Sequence, residues 1–173
     1  KGTGAVVLGC GPVGLAVIAA LARQGIEPIV GSDLSPGRRA LATRMGAHQV
    51  VDPGQEDVFE AWTKLGSLAP PVVFEAIGVP GIIDSVLEVA PPRTTLVVVG
   101  VCMESDTVTP FFGISKELDV RFCLGYDPME FTECLHAIAE GQIDVRPLIT
   151  GEVGLDGVTG AFDALAHPDD HCK

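Results

Sequence analysis

The chain has 173 residues, enough for one domain of ordinary size with a substantial core. Its 11 lysines and arginines stand against 23 aspartates and glutamates, a formal charge of −12, so most of its surface repels a nucleic-acid backbone. Hydrophobic residues make up 47% and aromatics only 5%, with 21 glycines, which suits close-packed parallel strands and helices and argues against an aromatic-rich β-sandwich.

Short Val-rich runs alternate with helical segments. Residues 5–10 read as a first strand, 12–23 as a helix, 28–33 as a second strand, 36–45 as a helix and 49–52 as a third strand. Asp52-Pro53 has the form of an N-cap followed by proline at the first helical position. The helix after it carries Val58, Trp62 and Leu65 at i, i+4, i+7. A second half repeats the plan, with a strand at 72–78, a helix striped by Ile83, Val86, Leu87 and Ala90, and strands at 95–101 and 118–124. Phe131, Cys134, Leu135 and Ile138 stripe the next helix, and Val158, Phe162 and Leu165 the last. Apolar strands alternating with helices imply a parallel sheet covered on both faces. Two βαβαβ halves predict an α/β, doubly wound, six-stranded parallel sheet, the Rossmann fold, in order 3-2-1-4-5-6.

The helix from Pro12 to Gln24 is apolar on nearly every side. Either its own domain buries it tightly, or its second face meets another domain. The first strand begins close to residue 1, and the chain stops where a further strand could start, so residues 1–173 are expected to be the cofactor half of a longer enzyme. The five cysteines include no C-x-x-C pair and read as free thiols of a reducing cytosol. With no signal peptide and no apolar run near ~18–20 residues, a cytoplasmic protein is expected.

Gly9-Cys10-Gly11-Pro12-Val13-Gly14 matches G-x-G-x-x-G, directly after a strand and opening a helix. Gly9 serves the tight turn, Gly11 lets backbone approach a pyrophosphate, and Gly14 lets helix and strand pack closely. The helix start then offers its N–H groups to phosphate, and Pro12 loses no intrahelical bond there. Asp33 ends the second strand 19 residues after Gly14, near the spacing at which a carboxylate meets the adenosine ribose. Its charge opposes a 2′-phosphate, which points to NAD. Arg38 and Arg39 follow; each is either a cover for adenine or ribose, or an exposed arginine of a helix start.

Ligands of such sheets lie at the carboxyl edge, so the nicotinamide half is expected near Ile77 and Gly78, Val99 and Gly100, and Phe122 and Leu124. Glu75 beside them reads as a hydrogen-bonded structural carboxylate. The four histidines do not cluster. His167, His171 and Cys172 have metal-ligand chemistry, but Pro168 argues against a helix presenting both histidines on one face, and a solvated tail is expected. No metal site and no nucleophile triad emerges.

With these residues in place, the chain resembles the cofactor domain of medium-chain, zinc-type alcohol dehydrogenases almost end to end. The marks are Val-Val-Leu-Gly-Cys-Gly-Pro-Val-Gly (6–14), Ser-Asp-Leu-Ser-Pro-Gly-Arg (32–38), Met-Gly-Ala (45–47), Val-Val-Asp-Pro (50–53), Val-Phe-Glu-Ala-Ile-Gly (73–78) and Leu-Val-Val-Val-Gly-Val (96–101). The resemblance implies that Gly9, Gly11, Pro12, Val13 and Gly14 form the pyrophosphate loop, and that Asp33 holds the ribose. It implies Arg38 beside the adenosine, Ile77 against the cofactor, and backbone contacts from Val99, Phe122 and Leu124 to the carboxamide. It also implies hydride transfer between NAD and an alcohol, polyol or amino alcohol, with zinc held by a preceding domain absent from residues 1–173, and a homodimer through the sixth strand. Two rivals remain. A non-catalytic NAD(H)-sensing module has the same site chemistry, and a methyltransferase would carry an acid where this chain has Val7-Leu8.

Overall fold

In the computed structural model, residues 4–66 and 69–165 are described; His167, His171 and Cys172, and with them the expected solvated tail, lie outside these. Strands β1 (Ala5–Leu8), β2 (Ile29–Ser32), β3 (Gln49–Val51), β4 (Val72–Glu75), β5 (Thr95–Val98) and β6 (Asp119–Phe122) form one sheet in the order β3-β2-β1-β4-β5-β6. Every neighbouring pair is parallel. The expected Rossmann sheet is therefore present, with strands a few residues shorter than their apolar runs.

β1 and β2 are buried along their whole length, as central strands covered on both faces must be. Side-chain alternation sends Val6 and Leu8 to one face and Val7 to the other, and each face has its own core. Helices α1 (Pro12–Arg23) and α2 (Pro36–Arg44) cover the Val7 face. Helices α3 (Val58–Lys64) and α4 (Ile82–Val89) cover the other, with Trp62 as its largest buried side chain.

Of the two readings left open for helix α1, the structure does not give tight burial on every side. Leu15, Ile18 and Ala19 face the sheet, but Val13, Ala16 and Ala20 are exposed, so the domain buries only one face of this helix. The Asp52-Pro53 cap is corrected. Helix α3 starts later, at Asp57, whose carboxylate accepts the Phe59 and Glu60 N–H groups at 2.8 and 2.9 Å. Asp52 instead closes a turn, accepting the Gly54 N–H at 3.0 Å. Helix α5 (Pro110–Lys116) has no counterpart in the sequence reading, because seven residues are too few to show a stripe. Helices α6 (Pro128–Ala139) and α7 (Val158–Leu165) form where their stripes predict. Those stripes are not covered, however: Phe131, Leu135 and Phe162 are all exposed.

Candidate functional site

Parallel strands end together, so the loops after β1, β2, β4 and β5 share the carboxyl edge of the sheet. After β1, Gly9 takes φ +86°, and an added Cβ would stand 2.8 Å from Ile77 Cγ1. A Cβ on Gly14 would lie 1.8 Å from the Gly9 carbonyl oxygen, so this glycine is what lets α1 rest on the strand end. Gly11 differs. The nearest neighbour to a Cβ there is Arg38 Nη1 at 3.9 Å, which leaves open space over the loop. Gly11 is also the N-cap of α1, with no side chain capping the helix and Pro12 at its start. The first intrahelical bond is Leu15 N–H to the Gly11 carbonyl, so the Val13 and Gly14 N–H groups have no acceptor within the helix, as an anion cradle requires.

Asp33 follows β2 directly. Its Oδ2 accepts the Cys10 N–H at 2.7 Å and its Oδ1 the Ser35 N–H at 2.8 Å. The carboxylate is thus tied to the glycine loop and to the cap of α2 together. Ser35 caps α2 by accepting the Arg38 N–H at 3.3 Å, with Pro36 behind it. That cap brings Arg38 back across Gly11. Arg38 Nε is buried and has no hydrogen-bond partner, an orphaned donor at the mouth of the cradle. Cys10 carries no reactivity here. Burial, with the Asp33 charge second, pushes its thiol up to about 12, and Sγ rests 3.7 Å from the Ser32 carbonyl.

Beyond β4, Glu75 is 2% exposed and accepts the Ile77 and Gly78 N–H groups at 2.6 and 2.8 Å on one oxygen. Its carbonyl accepts Val99 N–H and Gly100 N–H from the end of β5. A Cβ on Gly78 would meet Val101 N at 2.7 Å, and one on Gly100 would meet Gly78 N at 2.6 Å. Two strand ends are therefore pressed together around one carboxylate, which is structural, as the sequence suggests. Phe122 and Leu124 are not drawn in. They stand 73% and 92% exposed on and beyond the edge strand.

A cleft of about 810 Å³ opens at this edge and extends along α3 and α4, lined by Gly9, Asp33, Arg38 and Ile77 from the expected set. Leu34, Pro53, Val79, Ile82 and Val89 add apolar walls that motif reading missed, since no spacing rule marks them. Asp33 lines the cleft beside Arg38, so a carboxylate and a guanidinium share this end. Among the described residues no group of three or more His, Cys, Asp or Glu could hold a metal ion, so they do not fit the zinc that the resemblance implies. No described helix is long and apolar enough to cross a membrane.

The chain is similar to known dehydrogenases. Residues 12–140 match the family model described as zinc-binding dehydrogenase. The chain is 34% identical over 166 residues to (R,R)-butanediol dehydrogenase of Neisseria gonorrhoeae, covering 94% of this chain and 46% of that protein. The crystal structure of 2R,3R-butanediol dehydrogenase from Bacillus subtilis superposes with a TM-score of 0.83 at 31% identity, covering 99% of this chain and 50% of that one. A zinc-binding dehydrogenase of Sinorhizobium meliloti 1021 solved with NADP gives 0.81 at 26% identity, covering 93% and 48%. The chain thus spans about half the length of the curated relatives it matches.

Proposed function

From the premise that the chain belongs to the zinc-binding dehydrogenase family, we propose that residues 1–173 are its cofactor half. On this reading they bind NAD(H) for hydride transfer with a small alcohol or polyol. One observation carries the proposal: the 2.7 Å bond from the Cys10 N–H to Asp33 Oδ2, which joins a phosphate cradle to a ribose carboxylate. The residues fit a dinucleotide. Gly11 leaves room for a pyrophosphate, and Arg38 Nε is a buried donor in want of an acceptor. Once bound, the nicotinamide supplies the hydride acceptor or donor.

The chain's own groups do the holding. Gly11, Val13 and Gly14 offer backbone N–H groups to the pyrophosphate, while Gly9 and Pro12 shape the turn. Asp33 accepts the ribose hydroxyls, and Arg38 covers the adenosine side. Ile77 and Gly78, with Val99 and Gly100, form a wall against the nicotinamide half, held in place by Glu75. Phe122 and Leu124 would make contact only at the far end of that wall.

Relatives solved or named with NADP leave the cofactor choice to the residues themselves. Asp33 favours NAD. Zinc and the proton relay belong to residues other than the described ones. Exposed β6 is the edge at which a second copy would pair, and free Cys10, Cys102, Cys123 and Cys134 suit the reducing cytoplasm. Titrating the purified protein with NADH and NADPH, followed by nicotinamide fluorescence, tests the reading. Saturable NADH binding is expected, with no alcohol oxidised even when zinc is added. Failure to bind either dinucleotide would remove the cofactor assignment, and turnover would remove the division of labour.

A further inference from the structure

Arg39 does different work from its neighbour. Its Nη1 donates to the carbonyl oxygens of both Asp33 and Leu34 at 2.7 Å, and its Nη2 lies 3.2 Å from Asp52 Oδ2. The two side chains of this ion pair are only 18% and 22% exposed. Asp52 in turn accepts the Gly54 N–H, and its carbonyl accepts those of Gln55 and Glu56. One guanidinium therefore spans from the turn after β2 to the turn after β3. Asp33 and Leu34 from the first turn and Pro53 and Glu56 from the second all line the cleft. Arg39 sits behind both.

We infer that Arg39, braced by Asp52, is a positioning residue that sets the preference for NAD over NADP without touching either. The inference rests on the cofactor reading above and deepens it. The Asp33 carboxylate is aimed by two backbone donors, Cys10 N–H and Ser35 N–H. Arg39 grips the carbonyls of residues 33 and 34, which belong to the two peptide groups between Asp33 and Ser35. If those peptides turn, the Ser35 N–H swings away from Oδ1 and the carboxylate is free to rotate. A planar fork satisfies three acceptors together, which a single ammonium does not. With both Nη atoms engaged, Arg39 is also not offered to a 2′-phosphate, which leaves that role to Arg38 alone.

Arg39→Lys keeps the charge and removes the fork, so any change in cofactor preference cannot come from net charge. Dissociation constants for NAD and NADP are measured by calorimetry on the purified protein, and a urea unfolding curve shows that each variant is folded. NAD should weaken about 5-fold, the loss of part of one charge-assisted bond. NADP should move less than about 2-fold, narrowing the preference. Asp52→Glu keeps the charge but displaces the brace, and should narrow it in the same direction by about 2-fold; if Arg39→Lys does not fold, this variant decides. An NAD/NADP ratio unchanged in the folded variants overturns the inference and leaves Arg39 a structural tie. If the unaltered protein binds neither dinucleotide, the cofactor reading falls and this inference with it.

Discussion

Replacing Asp33 by serine should shift the protein from NAD toward NADP. The carboxylate is fixed on both oxygens, at 2.7 Å to the Cys10 N–H and 2.8 Å to the Ser35 N–H, so it does not turn aside for an incoming 2′-phosphate. At about 4 Å and an effective dielectric near 20, each unit of phosphate charge is opposed by about 4 kcal/mol. Asp33 is half-buried at a cleft edge, where solvent and salt reduce this to about 1.5–3 kcal/mol, or roughly 10–150-fold in affinity. Arg38 pulls the other way, since its guanidinium can pair with that phosphate. Serine keeps one hydroxyl for one of the two N–H donors, so stability should fall by about 1–2 kcal/mol. Calorimetric titration of both cofactors into wild type and Asp33→Ser measures the preference, and urea unfolding measures the stability separately. Equal wild-type affinities, or no NADP gain in the variant, would show that Asp33 serves only as the cap of its turn.

The remaining predictions concern packing, pH and assembly. Gly14→Ala places a methyl 1.8 Å from the Gly9 carbonyl and should lower urea stability by about 3 kcal/mol or more; a loss under about 1 kcal/mol would mean that α1 moves freely on the strand. The Cys10 thiol, raised from 9.0 to about 12 chiefly by burial, stays protonated in the native state while the unfolded chain ionises. Between those values the unfolded state binds fewer protons, so stability should fall by up to about 1.4 kcal/mol per pH unit, a limb that Cys10→Ala flattens. Asp119 N–H and Cys123 N–H donate to β5, so strand alternation turns the Val120 and Phe122 donors to the open edge. Val120→Pro should then leave the fold intact and halve the mass seen by light scattering, while an unaltered mass would place any dimer contact elsewhere.

How much of this was legible depends on the range over which each feature is determined. The sheet order follows from strand–helix alternation and crossover handedness, and the glycine roles from a local turn, so both could be read directly. Gly9 at φ +86° and the 1.8 Å approach at Gly14 are what such a turn demands. The role of Asp52 is not local: its side chain answers to Arg39 across a sheet neighbour, a partner that only the β2–β3 pairing supplies. Locally, Asp-Pro does look like a helix start. The stripes of α6 and α7 were legible as helices, but periodicity marks an apolar face without saying what covers it. The walls at Val79, Ile82 and Val89 are illegible in sequence for a related reason: apolar residues beside a cleft look like core until the fold leaves them open.

The site owes its coherence to register more than to any one side chain. β1 and β2 pair Leu8 with Ser32, and the ladder continues one step further, from the Gly9 N–H to the Ser32 carbonyl at 2.8 Å. The next residues out are Cys10 on one loop and Asp33 on the other; Gly9 at φ +86° turns the chain out of the ladder, and the Cys10 N–H reaches the Asp33 carboxylate at 2.7 Å. A slip of one residue between these strands would carry Asp33 about 3.3 Å along the sheet and reverse its facing. Register is pinned in turn by Val6, Val7 and Val30, all fully buried in the two cores. On the proposed reading, the distance between the pyrophosphate cradle and the ribose acceptor is therefore set by hydrophobic packing below the site. That is why so little polar chemistry, one carboxylate and one buried guanidinium nitrogen, is enough to define it.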